Sequence, residues 1–179
     1  ADAERLMEVA VTRLRSGAPT SPEFADALME TARAAIARND TARAEQAYAA
    51  ALEVVSKIQP GSPREAQLAE FMGDASVRRQ DLEGADRFYS RSLAVLETSQ
   101  RNSIDYARVS NALAVVAVSR NQAPRAQGLY EVALKLYEAQ RPDSLEVSQI
   151  LTNLGILQMN RGDLTSAEVM FRRSLTIKP

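Results

Sequence analysis

One spacing runs through this sequence from end to end, and it restricts the fold more than any other feature. Ala44, Ala85, Ala126 and Ala167 stand 41 residues apart. Four residues beyond each comes an aromatic ring: Tyr48, Tyr89, Tyr130 and Phe171. Three further on lie the small residues Ala51, Ser92, Ala133 and Ser174, each followed at once by a leucine, Leu52, Leu93, Leu134 and Leu175. Upstream, a second small site keeps the same register at Ala32, Gly73, Ala114 and Gly155. No gap is needed anywhere. A fixed period of this length marks a string of one supersecondary unit, which buries its apolar face only by stacking on its neighbours.

Inside each unit the apolar residues recur at three and four, in two runs separated by a short polar break, so each unit reads as helix, turn, helix. The breaks are Asn39-Asp40, Gln80-Asp81, Asn121-Gln122 and Gly162-Asp163. They supply a helix-ending residue and, in three of them, an aspartate able to cap the next helix. Between units, Ser62-Pro63-Arg64-Glu65 has the form of a capping box with proline at the first helical position. Asp143-Ser144-Leu145-Glu146 is expected to repeat it with Asp143 as cap, and Ser21-Pro22 opens the first complete unit. The pattern predicts helices near 2–15, 22–38, 41–58, 63–79, 82–99, 104–120, 123–140, 144–161 and 164–177. The organisation expected is a partial unit over 1–20 holding a second helix only, then units over 21–61, 62–102, 103–142 and 143–179.

The repeated small residues have a packing reason. Antiparallel helices approach to about 8–10 Å where the contact residues are short. Gly or Ala on the first helix is expected to face Ala on the second, and the ring that follows to fill the space between successive units.

Composition excludes several functions. The chain has no Cys, His or Trp, so its residues can build no disulfide, no thiolate or imidazole zinc site and no Cys-His or Ser-His-Asp machinery. An enzyme is not expected, and neither a metal nor a cofactor. A formal net charge of −1 offers a nucleic-acid backbone little attraction. The longest uninterrupted apolar run, 112–118, is far short of the roughly 20 residues that span a bilayer. With Asp2, Glu4, Arg5 and Glu8 among apolar positions, the first residues read as an amphipathic helix and not as a signal peptide. The chain begins without Met, as expected of a piece of a longer protein, and a cytoplasmic location is expected.

These residues resemble the tetratricopeptide repeat (TPR), whose pattern combines Leu-Gly on the first helix with A-x3-F on the second and a closing proline. The last unit carries it most fully, in Leu151, Leu154-Gly155, Gly162-Asp163, Ala167, Phe171, Ser174 and Pro179. Ala3, Met7 and Ala10, 41 residues before Ala44, Tyr48 and Ala51, extend the register to the first helix. No Trp opens a unit, and Ala35, Ser76, Ala117 and Gln158 stand where the family has Tyr. The period exceeds the usual 34, because Ser56, Glu97 and Glu138 replace the closing proline and let the second helix continue. The long variant, with Pro142 to Val147 and Leu151 to Gly155, is similar to kinesin light chain repeats and to bacterial arrays attached to caspase-like CHAT domains. Arginine for all basic residues except Lys57, Lys135 and Lys178, with abundant alanine, favours the bacterial comparison. The resemblance implies an all-α fold, a right-handed α-solenoid of stacked antiparallel helix pairs with about nine helices.

It also implies a binding groove lined by the first helix of each unit. The family's groove positions correspond here to Asp26, Met29, Arg33 and Ile36, then Gln67, Glu70, Asp74 and Val77. The next helices supply Arg108, Asn111, Val115 and Val118, then Gln149, Thr152, Ile156 and Met159, with Asn153 adjoining. Asn111 and Asn153, unfavourable inside helices, either grip a peptide backbone or bond neighbouring helices. Val115, Val118, Ile156 and Met159 either seat a partner's apolar anchors or pack into the core, the commoner use of helical-period apolar residues. Glu70 and Asp74 read as a solvated helix face rather than an acid-base or metal pair. Arg78-Arg79 and Arg172-Arg173 take the same surface reading. The lysine and arginine clamp by which some members hold a chaperone's two-carboxylate tail has no counterpart, since the groove contains no Lys.

The function expected is therefore recognition of a protein or peptide by part of a larger protein. Two alternatives are control of an attached caspase-like CHAT or other effector domain, and self-association by end-to-end stacking around Met7, Val11, Val169 and Leu175. Because Ala126 lies in the repeated register and Ala139 does not, Ala126→Leu should cost about 1–3 kcal/mol by overpacking. Urea denaturation should give it a lower midpoint than Ala139→Leu; equal midpoints would refute the register.

Overall fold

A computed structural model describes residues 2–177, with side chains from Val9 onward. Pro179 and the side chains of Ala3 and Met7 lie outside the described residues. Within them there are nine helices and no strand: α1 (Asp2–Gly17), α2 (Pro22–Ile36), α3 (Thr41–Ile58), α4 (Pro63–Arg78), α5 (Leu82–Ser99), α6 (Ile104–Ser119), α7 (Ala123–Gln140), α8 (Leu145–Asn160) and α9 (Leu164–Thr176). The closest pairs are α2 with α3, α4 with α5, α6 with α7 and α8 with α9, and each pair leans its second helix on the next pair's first.

A serine starts every first helix, and these serines share the 41-residue register. Ser21, Ser62, Ser103 and Ser144 accept from the backbone N–H of Phe24 (3.1 Å), Glu65 (3.2 Å), Tyr106 (3.0 Å) and Val147 (3.4 Å). Each hydroxyl thus satisfies one of the N–H groups a helix start leaves open. The fourth cap is consequently Ser144, not Asp143: in the extended backbone before the helix, the residue at position 144 is the one whose side chain turns back onto the first turn. In the Ser62 box the carboxylate of Glu65 accepts from Gly61 N–H at 2.6 Å.

The breaks within pairs are equally regular. Asn39, Gln80, Asn121 and Gly162 hold φ of 60, 60, 58 and 82°, the left-handed conformation that ends a helix. Asp40, Asp81 and Asp163 then cap the second helices by accepting from Arg43, Gly84 and Ser166 N–H. Gln122 makes no such bond; Pro124 opens that helix instead.

Small residues at the pair contacts work differently from expectation. A Cβ added to Gly73 would stand 2.5 Å from Cε1 of Tyr89, and one on Gly155 2.6 Å from the same atom of Phe171. The first-helix small site therefore faces the aromatic ring of its own pair, not an alanine, and the missing side chain is the space the ring occupies. Rings also reach the next pair, as Tyr48 does against Phe71 with centroids 4.7 Å apart. The second-helix Ala44, Ala85, Ala126 and Ala167 are buried in the same layers.

Polar contacts tie neighbouring pairs together. Arg79 pairs with Glu45 and Arg161 with Gln127, in both cases from the end of a first helix to the second helix of the preceding pair. In the third unit Asp86 is instead taken by Arg125. The expectation that Arg79 and Arg173 are plain solvated surface is corrected here: each bridges to the preceding pair, Arg173 through Glu138.

Gln80 adopts a left-handed conformation that disfavours a side-chain-bearing residue by about 1–2 kcal/mol, where the fourth unit has glycine. Gln80→Gly should raise the denaturant midpoint by an amount equal to about 1 kcal/mol, with unchanged slope.

Candidate functional site

The expected groove residues occupy four parallel first helices, but burial divides them. Asp26, Gln67, Arg108 and Gln149 are exposed at the start of the face. At the next register position Met29 and Glu70 are buried, and Asn111 and Thr152 half-buried. Beyond them, Arg33, Val115 and Ile156 are exposed and Asp74 is half-buried. Ile36, Val77, Val118 and Met159 then form a row at the helix ends, 46, 42, 39 and 46% exposed.

This row settles one alternative left open by the sequence. Val115, Val118, Ile156 and Met159 do not pack into the core, although their spacing matches that of core residues. The core stripe of α6 is filled by Leu113, Ala114, Val116 and Ala117, and that of α8 by Leu151, Leu154 and Leu157. These helices carry more apolar residues than one buried face can hold, and the surplus faces outward.

The charged end of the face is internally paired. Arg108 bridges α6 to Glu70 on α4 and also holds Asp105 on its own helix. Arg64 of α4 pairs with Asp26 of α2. Glu70 is thus no solvated carboxylate: buried, it depends on Arg108 to offset the loss of water. Asp74 departs from that reading as well, accepting from the Tyr89 hydroxyl at 2.6 Å. Burial first, and this carboxylate second, push the Tyr89 pKa up. Met29, Arg33, Gln67, Glu70 and Arg108 meet, with Arg64, Leu96 and Asp105, around one cleft of about 380 Å³.

Of the two asparagines, Asn153 faces the Tyr130 hydroxyl of the preceding pair, where its amide works to lower that phenol's pKa. Asn111 Oδ1 is buried without a hydrogen-bond partner. Among the described residues no group of three or more carboxylates, His or Cys is placed to hold a metal ion, and no helix is long and apolar enough to cross a membrane. What sequence reasoning missed were the bridges between units. Their signal was present in Arg38, Arg79, Arg120 and Arg161, all in one register with Glu45, Asp86, Gln127 and Glu168 in another.

Comparison with known proteins bears on this geometry. The profile of the Tetratricopeptide repeat family matches residues 1–63 and 31–102, together more than half of the chain. The chain belongs to the tetratricopeptide repeat family. Solved structures agree on the fold. BtubC (BKLC) from P. vanneervenii is 23% identical, superimposes with a TM-score of 0.75, and the match covers 97% of this chain and 71% of that one. A Podosopora anserina protein described by nearly identical TPR-like repeats of kinesin light chain type is 16% identical, with a TM-score of 0.76 over 98% of this chain and 85% of the other. MamA is also 16% identical, at 0.68 over 93% and 84%. No curated protein matches the chain. TPR arrays are scaffolds that generally mediate protein-protein interactions.

In this TPR array Tyr130 ties α7 to α8. Burial pushes its pKa from 10.0 up to about 12, against the opposing effect of Asn153. A raised phenol favours the folded state below the unfolded pKa and loses that advantage as pH rises through the folded one. Stability should therefore fall between pH 10 and 12, and Tyr130→Phe should flatten that decline in denaturation curves collected across the range.

Proposed function

We propose that this TPR array is a recognition module that binds a segment of a partner protein on the face formed by α2, α4, α6 and α8. The observation that carries the reading is the row Ile36, Val77, Val118 and Met159, widened by Val115 and Ile156. Six apolar side chains, each 39–46% exposed, hold two matching register positions on the first helices. Exposed apolar surface repeated in this way marks interaction sites. The charged cleft around Arg33, Gln67, Glu70 and Arg108, backed by the buried Met29, supplies with the neighbouring positions Asp26, Asp74, Asn111, Gln149, Thr152 and Asn153 the polar groups that orient a bound segment. Since Asn153 faces Tyr130, the apolar row and not the asparagine pair is the place to test.

A second reading draws on one further observation. Leu175 is 83% exposed, whereas its register equivalents Leu52 and Leu134 are 5 and 9% exposed because another helix covers them. That face of α9 suits continued stacking by a further helix, whether of this protein or of a second copy. Control of an attached CHAT or other effector domain has no comparable observation in its favour.

Affinity capture followed by mass spectrometry tests the main reading. Val118→Asp with Met159→Asp should reduce partner retention about tenfold or more, while Val132→Asp, an equally exposed site on α7, should leave it unchanged. Equal retention by both would sink the first-helix face. Light scattering over a range of protein concentrations tests the stacking reading; a single mass at all concentrations would count against it.

A further inference from the structure

Position 168 breaks a rule that the other units keep. Glu45, Asp86 and Gln127 hold the same register position on α3, α5 and α7, and each accepts from an arginine of the following pair: Arg79, Arg125 and Arg161. The two carboxylates are correspondingly sheltered, with side chains 15 and 21% exposed. Glu168 is the fourth member of the row, 62% exposed, and it holds only Arg172 of its own helix. An exposed pair one turn apart contributes little, so this carboxylate is open to a second arginine. The ring and the leucine that follow show the same difference. Tyr48, Tyr89 and Tyr130 are buried where Phe171 is half-buried, and Leu52 and Leu134 are buried where Leu175 is exposed. Spaced by three and four residues, Glu168, Phe171 and Leu175 form one stripe on α9.

The joint of α3 with α4 shows what covers such a stripe. Phe71 of α4 meets the Tyr48 ring with centroids 4.7 Å apart, and Leu68 is buried in one core cluster with Leu52. Arg79, with Arg78 beside it, reaches Glu45. We propose that the stripe on α9 is the docking site of a partner helix with this same pattern: a leucine, an aromatic residue three later, and an arginine eight residues beyond the ring that takes Glu168. The inference rests on the second reading above, continued stacking on α9, and adds the side chains of the occupant. A second copy does not supply them, because within the described residues α2, α4, α6 and α8 are each already packed between the helices before and after them.

The probe is a labelled peptide with the sequence of residues 62–80, the α4 segment itself, added to the whole chain and followed by fluorescence anisotropy. It should bind saturably and gain helix by circular dichroism, since an isolated helix of this length is marginal in water. Leu175→Asp in the protein should weaken binding about tenfold or more, and Val132→Asp, an exposed site on α7, should leave it within about twofold. Glu168→Arg should cost about two- to fivefold. A peptide with Arg78→Glu and Arg79→Glu should recover that loss on the Glu168→Arg protein while binding the wild type less well. Circular dichroism of each variant alone establishes that it is folded. Equal binding by Leu175→Asp, failure of the charge exchange, or a peptide that does not bind would overturn the inference. When the peptide does not bind but light scattering gives a mass that rises with concentration and that Leu175→Asp holds constant, α9 stacks on a second copy: the inference falls and the reading beneath it stands. No peptide binding together with one mass at all concentrations would remove both.

Discussion

The structure depends on one steric complement: a ring on each second helix lies over a residue of minimal size on the first. At Gly73 and Gly155 the ring fills the very volume a methyl group would take. Close packing leaves those two contacts no slack for an added carbon. Ala32 and Ala114 hold the same register and share core clusters with Tyr48 and Tyr130, so in those pairs the small site keeps one carbon.

Once the pairs close alike, the polar contacts between them fall into register as well. Arg79 to Glu45 and Arg161 to Gln127 span the same joint one repeat apart from the Arg125 variant between them. Partly exposed polar contacts of this kind contribute little individually, so they orient neighbouring pairs more than they stabilise them. The Arg108 and Glu70 pair differs because the carboxylate is buried; removing Arg108 would leave a charge without compensation. Two hydroxyls have no such support. Ser76 and Ser92 are fully buried without hydrogen-bond partners, at positions where the first and third units carry Ala35, Ala117, Ala51 and Ala133.

The repeat also explains how the proposed binding face arises. A solenoid exposes the same register position of each unit side by side, so a residue type chosen at that position becomes a row. Here four of four are apolar at the helix ends, and two of four one turn earlier. The face grades from paired charges over α2 and α4 to aliphatic side chains over α6 and α8.

Helix content, helix boundaries to within two residues, the pairing order and the positions of the breaks were all legible in the residues, because local periodicity and capping chemistry determine them. The serine caps illustrate the limit: the register pointed to position 144, yet Asp143 offers an equally good acceptor, and only the extended backbone before the helix chose between them. The same holds for the face. Val115, Val118, Ile156 and Met159 obey the helical period as core residues do, and Glu70 and Asp74 look like surface charges. Sequence determined that these residues share helices and register. Which side of each helix meets a neighbour, leaving aliphatics outside and a carboxylate within, was decided by the angle at which pairs stack, since burial is a property of the whole array and not of any single helix.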